Sequence, residues 1–529
     1  METTYIVLII LTAIYIPLFL YVKFGKKYKE KLEEKGIVPY GPCLMIRTKL
    51  GLKLIDRLGK YKRLWGVVGI FSRIVTIVLM AYIVTIIFID LALLPQAFGK
   101  GGMGIEYALA IPGLNPMLPI VYGWIALILA MVVHELAHGI QSRANDIPVD
   151  STGLLYAVVP VGAFVEPNEE AIEKSSRGAK MDLYAAGITT NFIVAMITFL
   201  LMFAMVANTV ETDYSDRPAI YGIANDSPFL DFDIPTTAIL SEIDGTPVNT
   251  IDELYRYVDD HGYGHYSISY IYKGETYTVD GPNDKDKVRM GTFVNGVVKG
   301  SPISHLPIEK GDFITKLAVV DEAQNAVKEA DIGSPDSMTA FLKGTRPGDM
   351  LSITFIDCSE SITRTDVFQL GDNNGIGYMG VTTTLSGVSW VTPEAVMNTG
   401  VDPFYECETL SDYANGTIGF LAKAFNGFSP IPESTHWWYH STFSSDTLMW
   451  IIISLLYWIF WLNIVLGVTN ALPAVPFDGG FLFMGGVDFI AERFIKDQER
   501  RDRIVDIICT SVTYFMLMAL ILVLIVIIF

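Results

Sequence analysis

Residues 118–133 (LPIVYGWIALILAMVV) carry no charge, and the run continues unbroken into His134-Glu135-Leu136-Ala137-His138. A stretch of this length and composition folds as a helix in a bilayer, where every backbone N–H and C=O must find its partner inside the segment. Ionisable side chains at such an address are costly and are functional by default. On a helix the two histidines are four residues apart and share a face, so both imidazoles reach one zinc ion. Glu135 stands beside them as the base that takes a proton from water. The set is incomplete, because a hydrolytic zinc has a third protein ligand, which must come from elsewhere in the chain. The plainer alternative is a pair of histidines satisfied by local hydrogen bonds in a buried helix.

The chain is 51% hydrophobic over 529 residues, with a mean hydropathy of +0.40. That is too apolar for a soluble enzyme of this length and fits a polytopic membrane protein with a soluble part. The net charge of −19 argues against a nucleic-acid partner. Four cysteines, Cys43, Cys358, Cys407 and Cys509, are too scattered for a disulfide framework or a thiolate zinc site; Cys358 and Cys407 form the one pair with a chance of bonding.

Six apolar runs predict spans at roughly 4–22, 68–94, 117–140, 182–207, 447–470 and 506–529. The first lacks a basic n-region and a small-residue cleavage site and is expected to be retained. Residues 23–64 hold thirteen of the 38 Lys and Arg, which places them in the cytoplasm. Within them, 45–65 reads as a basic amphipathic helix on the anionic leaflet or, more plainly, as a topology anchor. The Gly- and Pro-rich loop 95–117 is expected outside. His134 then lies a turn or two from the cytoplasmic face, ahead of Arg143. Residues 153–166 are too short to cross and are broken by Pro160 and Gly162; they predict a hairpin of two strands, whose edge suits substrate capture by strand addition, or else a buried loop. In the next span Gly187 and Asn191 stand at i, i+4. Asn191 either bonds a neighbouring helix or holds a substrate carbonyl.

Residues 208–446 differ in kind. Acidic residues exceed basic ones there by about twenty, and no apolar run is long enough to span. Counting spans puts this region outside. Tyr221-Gly222-Ile223-Ala224-Asn225-Asp226-Ser227-Pro228 is echoed by Asn295-Gly296-Val297-Val298-Lys299-Gly300-Ser301-Pro302. Each copy leads into a strand, a helical pattern (251–258, 337–342) and further strands (265–272, 350–356). Two β-rich units with one helix each are the economical reading. Both resemble PDZ domains, more closely in the second copy, which has Glu309-Lys310-Gly311-Asp312. Trp437 and Trp438 suit an aromatic belt at the outer interface.

The fifth predicted span ends in Asn470-Ala471-Leu472-Pro473-Ala474-Val475-Pro476-Phe477-Asp478-Gly479-Gly480. Two prolines break the helix and two glycines allow a close backbone approach. Asp478 is a lone carboxylate at the same depth as His134 and His138, which makes it the candidate third ligand. The alternative is a solvated Asp capping the helix that follows.

HExxH on an early span, Gly187 with Asn191 on the next, and N-x-x-P-x-x-P-x-D-G-G far downstream together resemble the site-2 protease family of zinc intramembrane metalloproteases, over roughly 117–485. The chain departs from the usual pattern at Ile188, where a proline commonly follows the glycine. The resemblance implies that His134, His138 and Asp478 bind zinc, that Glu135 is general base and acid, and that Asn470 and Asn191 hold an unwound substrate. It implies an α-helical polytopic membrane protein of about six spans with an extracytoplasmic insertion of two PDZ-like domains. The expected divisions are an N-terminal membrane region (1–116), a first core part (117–210), PDZ-like units at 215–292 and 293–384, a connector (385–446) and a second core part (447–529). The expected partners are single-pass membrane proteins as substrates, peptide tails at the PDZ-like units, and the lipid bilayer. Two other readings are a catalytically silent PDZ-bearing membrane scaffold, which has no use for Glu135, and a prenyl-protein endopeptidase, which normally takes a downstream Glu as third ligand.

Overall fold

A computed structural model describes residues 2–24, 29–97, 104, 107, 111–425, 427, 429–443 and 445–528. The loop expected over 95–117 thus falls partly outside the described residues. The chain divides into two compact units. Met1–Asn208, Leu421–Pro430 and Thr447–Phe529 form the first; Thr209–Phe420 and Ile431–Asp446 form the second.

The helices of the first unit are α1 (Glu2–Phe24), α2 (Lys29–Glu34), α3 (Leu52–Gly59), α4 (Lys62–Ala97), α5 (Ile120–Ala144), α6 (Glu169–Lys174), α7 (Arg177–Thr209), α8 (Asp446–Asn470), α9 (Asp478–Ala491) and α10 (Gln498–Ile528). Among the described residues, α4, α5, α7, α8 and α10 are long and apolar enough to cross a bilayer. The first predicted span falls in α1, where the apolar stretch Ile10–Phe24 is shorter than these five.

Small and polar residues set how closely these helices approach, because in lipid the association is driven by packing and hydrogen bonds rather than by water exclusion. On α5 the buried face runs through Gly123, Ala126, Ala130, His134 and Ala137 to His138. On α7 it runs through Leu183, Gly187, Asn191 and Ala195, the i, i+4 row of one helix face. α8 meets the same row, since a Cβ built at Gly467 would sit 3.4 Å from Asn191 Cβ. Arg73 of α4 pairs with the buried Asp182 of α7 at 2.6 Å, the kind of compensation an ionised group at this depth requires.

One small sheet completes the unit. Strands β1 (Ile37–Tyr40), β2 (Cys43–Thr48), β3 (Val149–Ala157) and β4 (Val159–Pro167) lie in the order β1-β2-β3-β4, all antiparallel. The predicted hairpin 153–166 is therefore present, turning at Val158 with φ 67°, but it is half of a larger sheet. Of the two readings of 45–65, the amphipathic helix fails at its start: Cys43–Thr48 is a strand, and helix begins with α3. Pairing partners decide the outcome. β2 finds a ladder on β3, Leu44 opposite Tyr156 through Thr48 opposite Thr152, and Arg47 closes on Glu166 at 2.6 Å. Tertiary pairing overrides a local helical pattern.

The second unit is β-rich. Its main sheet places Glu275–Val279, Ile268–Tyr272, Ile239–Ile243 and Ala219–Ile223 on one side, and Thr292–Val297, Phe313–Val320, Met350–Asp357 and Ile362–Gln369 on the other, joined through Val388–Val391 and Val381–Leu385. Two apolar cores result. One gathers Ile220, Phe229, Leu240, Leu254, Ile268 and Val388; the other gathers Val294, Ile314, Leu317, Phe341, Ile353 and Met379. Each has its helix, Ile251–His261 capped by Thr250 and Pro335–Lys343 capped by Ser334, where the sequence pattern places them. Val388–Val391 pairs with Ala219–Ile223, so the first core is completed by residues that follow the second copy, past the boundary expected at 384.

The indoles of Trp437 and Trp438 donate to the side chain (3.2 Å) and the carbonyl (2.9 Å) of Thr237, and Trp438 is buried, so protein atoms rather than a lipid interface satisfy them. Cys358 and Cys407 are both free thiols. The Cys358 sulfur faces Arg289, whereas the Cys407 sulfur faces the Pro403 carbonyl.

Candidate active site

The site is built where α5 crosses α7. His134 and His138 are one helical turn apart on α5, and both are buried. Each is oriented through Nδ1. His134 Nδ1–H donates to Asn191 Oδ1 at 3.1 Å, and His138 Nδ1–H donates to the Leu183 carbonyl at 2.7 Å. Both partners belong to the i, i+4 row of α7. Because both are oxygen acceptors, each imidazole carries a proton on Nδ1 and, when neutral, presents a lone pair at Nε2. The two Nε2 atoms lie 3.0 Å apart. Between the oxygen partners in that row comes Gly187, where a Cβ would sit 2.5 Å from His138 Nε2 and 2.7 Å from His134 Nε2. Only a residue without a side chain lets the imidazole tips meet against this backbone.

Asp478 arrives from the far end of the chain. α8 stops at Asn470, and the segment to Phe477 carries the two prolines before α9 starts at Asp478. The turn is tight: a Cβ on Gly479 would lie 2.3 Å from the Ala471 carbonyl oxygen, and one on Gly480 2.5 Å from the Ala474 carbonyl carbon. The two glycines thus let the start of α9 fold onto the segment that leads into it. Asp478 Oδ2 consequently reaches His134 Nε2 at 3.0 Å and His138 Nε2 at 3.1 Å, in the first turn of a helix, where negative charge is favoured.

Three groups able to donate an electron pair therefore converge: two imidazole nitrogens and one carboxylate oxygen, all within 3.1 Å of one another. Atoms so placed need a proton or a metal cation between them. Two histidines and one carboxylate are a zinc donor set, and ligands about 2.0–2.1 Å from a tetrahedral ion stand roughly 3.3 Å apart. The residues present fit zinc, and the oxygen partners on Nδ1 supply the outer support that metal-binding histidines ordinarily have. Among the described residues, His134, His138 and Asp478 are the group with this property.

A cavity of about 620 Å³ opens on this centre. Its walls include Glu135, Tyr184 and Asn470, together with the β4 residues Gly162 to Pro167. Glu135 is half-buried, and its Oε2 accepts the Val165 N–H of β4 at 2.9 Å. Asn470 lines the cavity while its amide donates to the Leu466 carbonyl at 3.1 Å. Asn191 is placed differently. It is fully buried, does not line the cavity, and spends its carbonyl on His134 and its amide on the Ala130 carbonyl at 3.3 Å. Of the two roles its spacing allowed, the helix-to-helix bond is the one the structure places there.

Two participants escape sequence reasoning. The Leu183 carbonyl and the Val165 amide are backbone groups and leave no residue-type signal. Gly187 is visible as a glycine inside an apolar helix, a place where a conserved packing reason is the usual explanation, yet its contact with both imidazoles needs coordinates.

Residues 122–520 match the family model described as Peptidase family M50. The chain is also similar to an uncharacterized protein of Methanocaldococcus jannaschii, 34% identical over 208 residues; the alignment covers 38% of this chain and 52% of that one. The chain thus spans about half the length of that relative.

Proposed function

The chain belongs to peptidase family M50, the site-2 protease family of membrane metalloproteases, and from that premise we propose that it is a zinc-dependent endopeptidase cutting peptide bonds within or beside the spans of single-pass membrane proteins, as in regulated intramembrane proteolysis. The observation that carries the reading is the meeting of Asp478 with His134 and His138 across a gap of 340 residues, with Glu135 beside them at the wall of a cavity. Zinc, held by His134, His138 and Asp478, would supply Lewis acidity and make water a nucleophile at neutral pH. Glu135 takes a proton from the attacking water and returns it to the leaving amine. Asn470, also lining the cavity, offers an amide to a carbonyl of the unwound substrate. The edge of β4 takes up the substrate backbone as an added strand, replacing the helical hydrogen bonds that a span gives up when it unwinds. Asn191 acts through His134 as a positioning residue.

In this reading the chain is a multi-pass protein of the cell membrane with six spans, α1 being the sixth. Its site faces the cytoplasm, supported by Arg143 at the end of α5 and by the basic residues of 23–64. The second unit lies outside as two PDZ-like modules. A groove of about 260 Å³ between the helix Pro335–Lys343 and residues 376–381 suits an extended peptide tail.

The test is reconstitution. Full-length chain in lipid nanodiscs is expected to cut a labelled single-span peptide in or at the edge of its apolar segment. The chelator 1,10-phenanthroline should stop the cleavage and added zinc restore it. Chelator-resistant cleavage, or an intact span beside degraded soluble casein, contradicts the reading.

A further inference from the structure

β4 is the outer strand of its sheet and pairs with β3 alone. Val165 stands opposite Thr152 and turns its N–H away from β3, toward Glu135 Oε2 at 2.9 Å. Strand geometry puts Ala163, two residues back, on the same edge, and 163 to 165 all line the cavity. The edge on which a peptide would be laid and the carboxylate that would serve its hydrolysis are thus joined by one hydrogen bond.

A peptide added to β4 needs the Val165 N–H for one of its own carbonyls. That donor is already engaged by a carboxylate, a stronger acceptor than a peptide carbonyl. One N–H does not serve both along its axis. We infer that Glu135 and the substrate compete for the Val165 amide: without substrate the β4 edge holds the base, and an incoming strand takes the amide and frees the carboxylate toward the centre formed by His134, His138 and Asp478. Docking and release of the base become one event, so water is deprotonated with a peptide bond in place. The inference rests on the strand-capture reading of β4 given above.

The test is equilibrium binding among variants that do not turn over. The zinc-loaded full-length chain in nanodiscs is titrated with a dye-labelled peptide carrying one apolar span of about twenty residues. Glu135→Gln keeps an acceptor for the amide; Glu135→Ala removes it. The Ala variant is expected to bind the peptide roughly three- to tenfold tighter than the Gln variant. Adding Val165→Pro to each should weaken both and erase the difference between them. Proline suits this position because the N–H it removes makes no bond within the sheet, and β4 already contains Pro160 and Pro167.

Equal binding by the Gln and Ala variants, with Val165→Pro still weakening both, overturns the competition and leaves strand capture standing. Affinities untouched by Val165→Pro overturn strand capture itself. A Gln-to-Ala difference that survives Val165→Pro shows only that alanine adds space, and overturns the proposal. Should the proline variants fail to fold, deuterium exchange at 163–167 decides: the Val165 amide is expected to exchange faster in Glu135→Ala than in Glu135→Gln and to regain protection when the peptide is added. Equal exchange in the two variants overturns the proposal.

Discussion

Glu135→Gln is expected to lower cleavage of a single-span substrate by about 10²–10⁴-fold, the contribution of a positioned proton-transfer group, with zinc content unchanged. Glutamine has the size of glutamate and keeps an oxygen for the Val165 amide, so β4 and the cavity wall keep their places. It has no basic oxygen to take a proton from water and none to return to the leaving amine. The three atoms that could hold a metal belong to His134, His138 and Asp478, so the metal site should not register the change. Turnover in nanodiscs and zinc by mass spectrometry, measured on the same preparations, check both halves. Full activity in this variant ends the enzymatic reading and returns weight to a silent membrane scaffold. Loss of zinc makes Glu135 part of the metal site rather than its base.

Gly187→Ala should also be damaging, by a different route. One methyl group would lie 2.5 Å from His138 Nε2 and 2.7 Å from His134 Cε1 and Nε2, well inside ordinary van der Waals contact. The room can come only from a rotated imidazole or a displaced α7. Either movement spoils the bonds to Asn191 and the Leu183 carbonyl, and disturbing such support typically costs about 10–100-fold in metal affinity or activity. Helix propensity points the other way, since alanine is favoured over glycine in a helix interior by roughly 0.8–1 kcal/mol. The expected signature is therefore a chain that inserts and folds as well as before yet holds zinc at least about tenfold more weakly. Competition with a fluorescent chelator measures the affinity. Unchanged zinc affinity would mean that the imidazoles do not meet against α7.

The part of this site legible in the sequence is the part written in side-chain chemistry and helical period. His134 and His138 declare a shared face by spacing alone, and an uncharged run ahead of them declares the membrane. Asp478 is legible because Pro473, Pro476, Gly479 and Gly480 frame a carboxylate at the end of an apolar helix. What hides is non-local pairing. Cys43–Thr48 looks helical beside its basic neighbours, and only β3, about a hundred residues later, makes it a strand. Val388–Val391 reads as the start of a connector, because nothing local reveals its pairing with Ala219–Ile223. Asn191 allowed two roles from spacing, and the choice depended on how far His134 reaches. Trp437 and Trp438 suit a lipid interface by composition, yet Thr237 satisfies both.

The account stands on Asp478 sharing one metal ion with His134 and His138. Zinc analysis of the purified wild-type chain beside Asp478→Ala tests this most directly. The expected result is one zinc per wild-type chain, and in the variant either no zinc or binding weakened by at least about tenfold, with the protein still folded and inserted. A folded Asp478→Ala variant that holds zinc as tightly as wild type would contradict it.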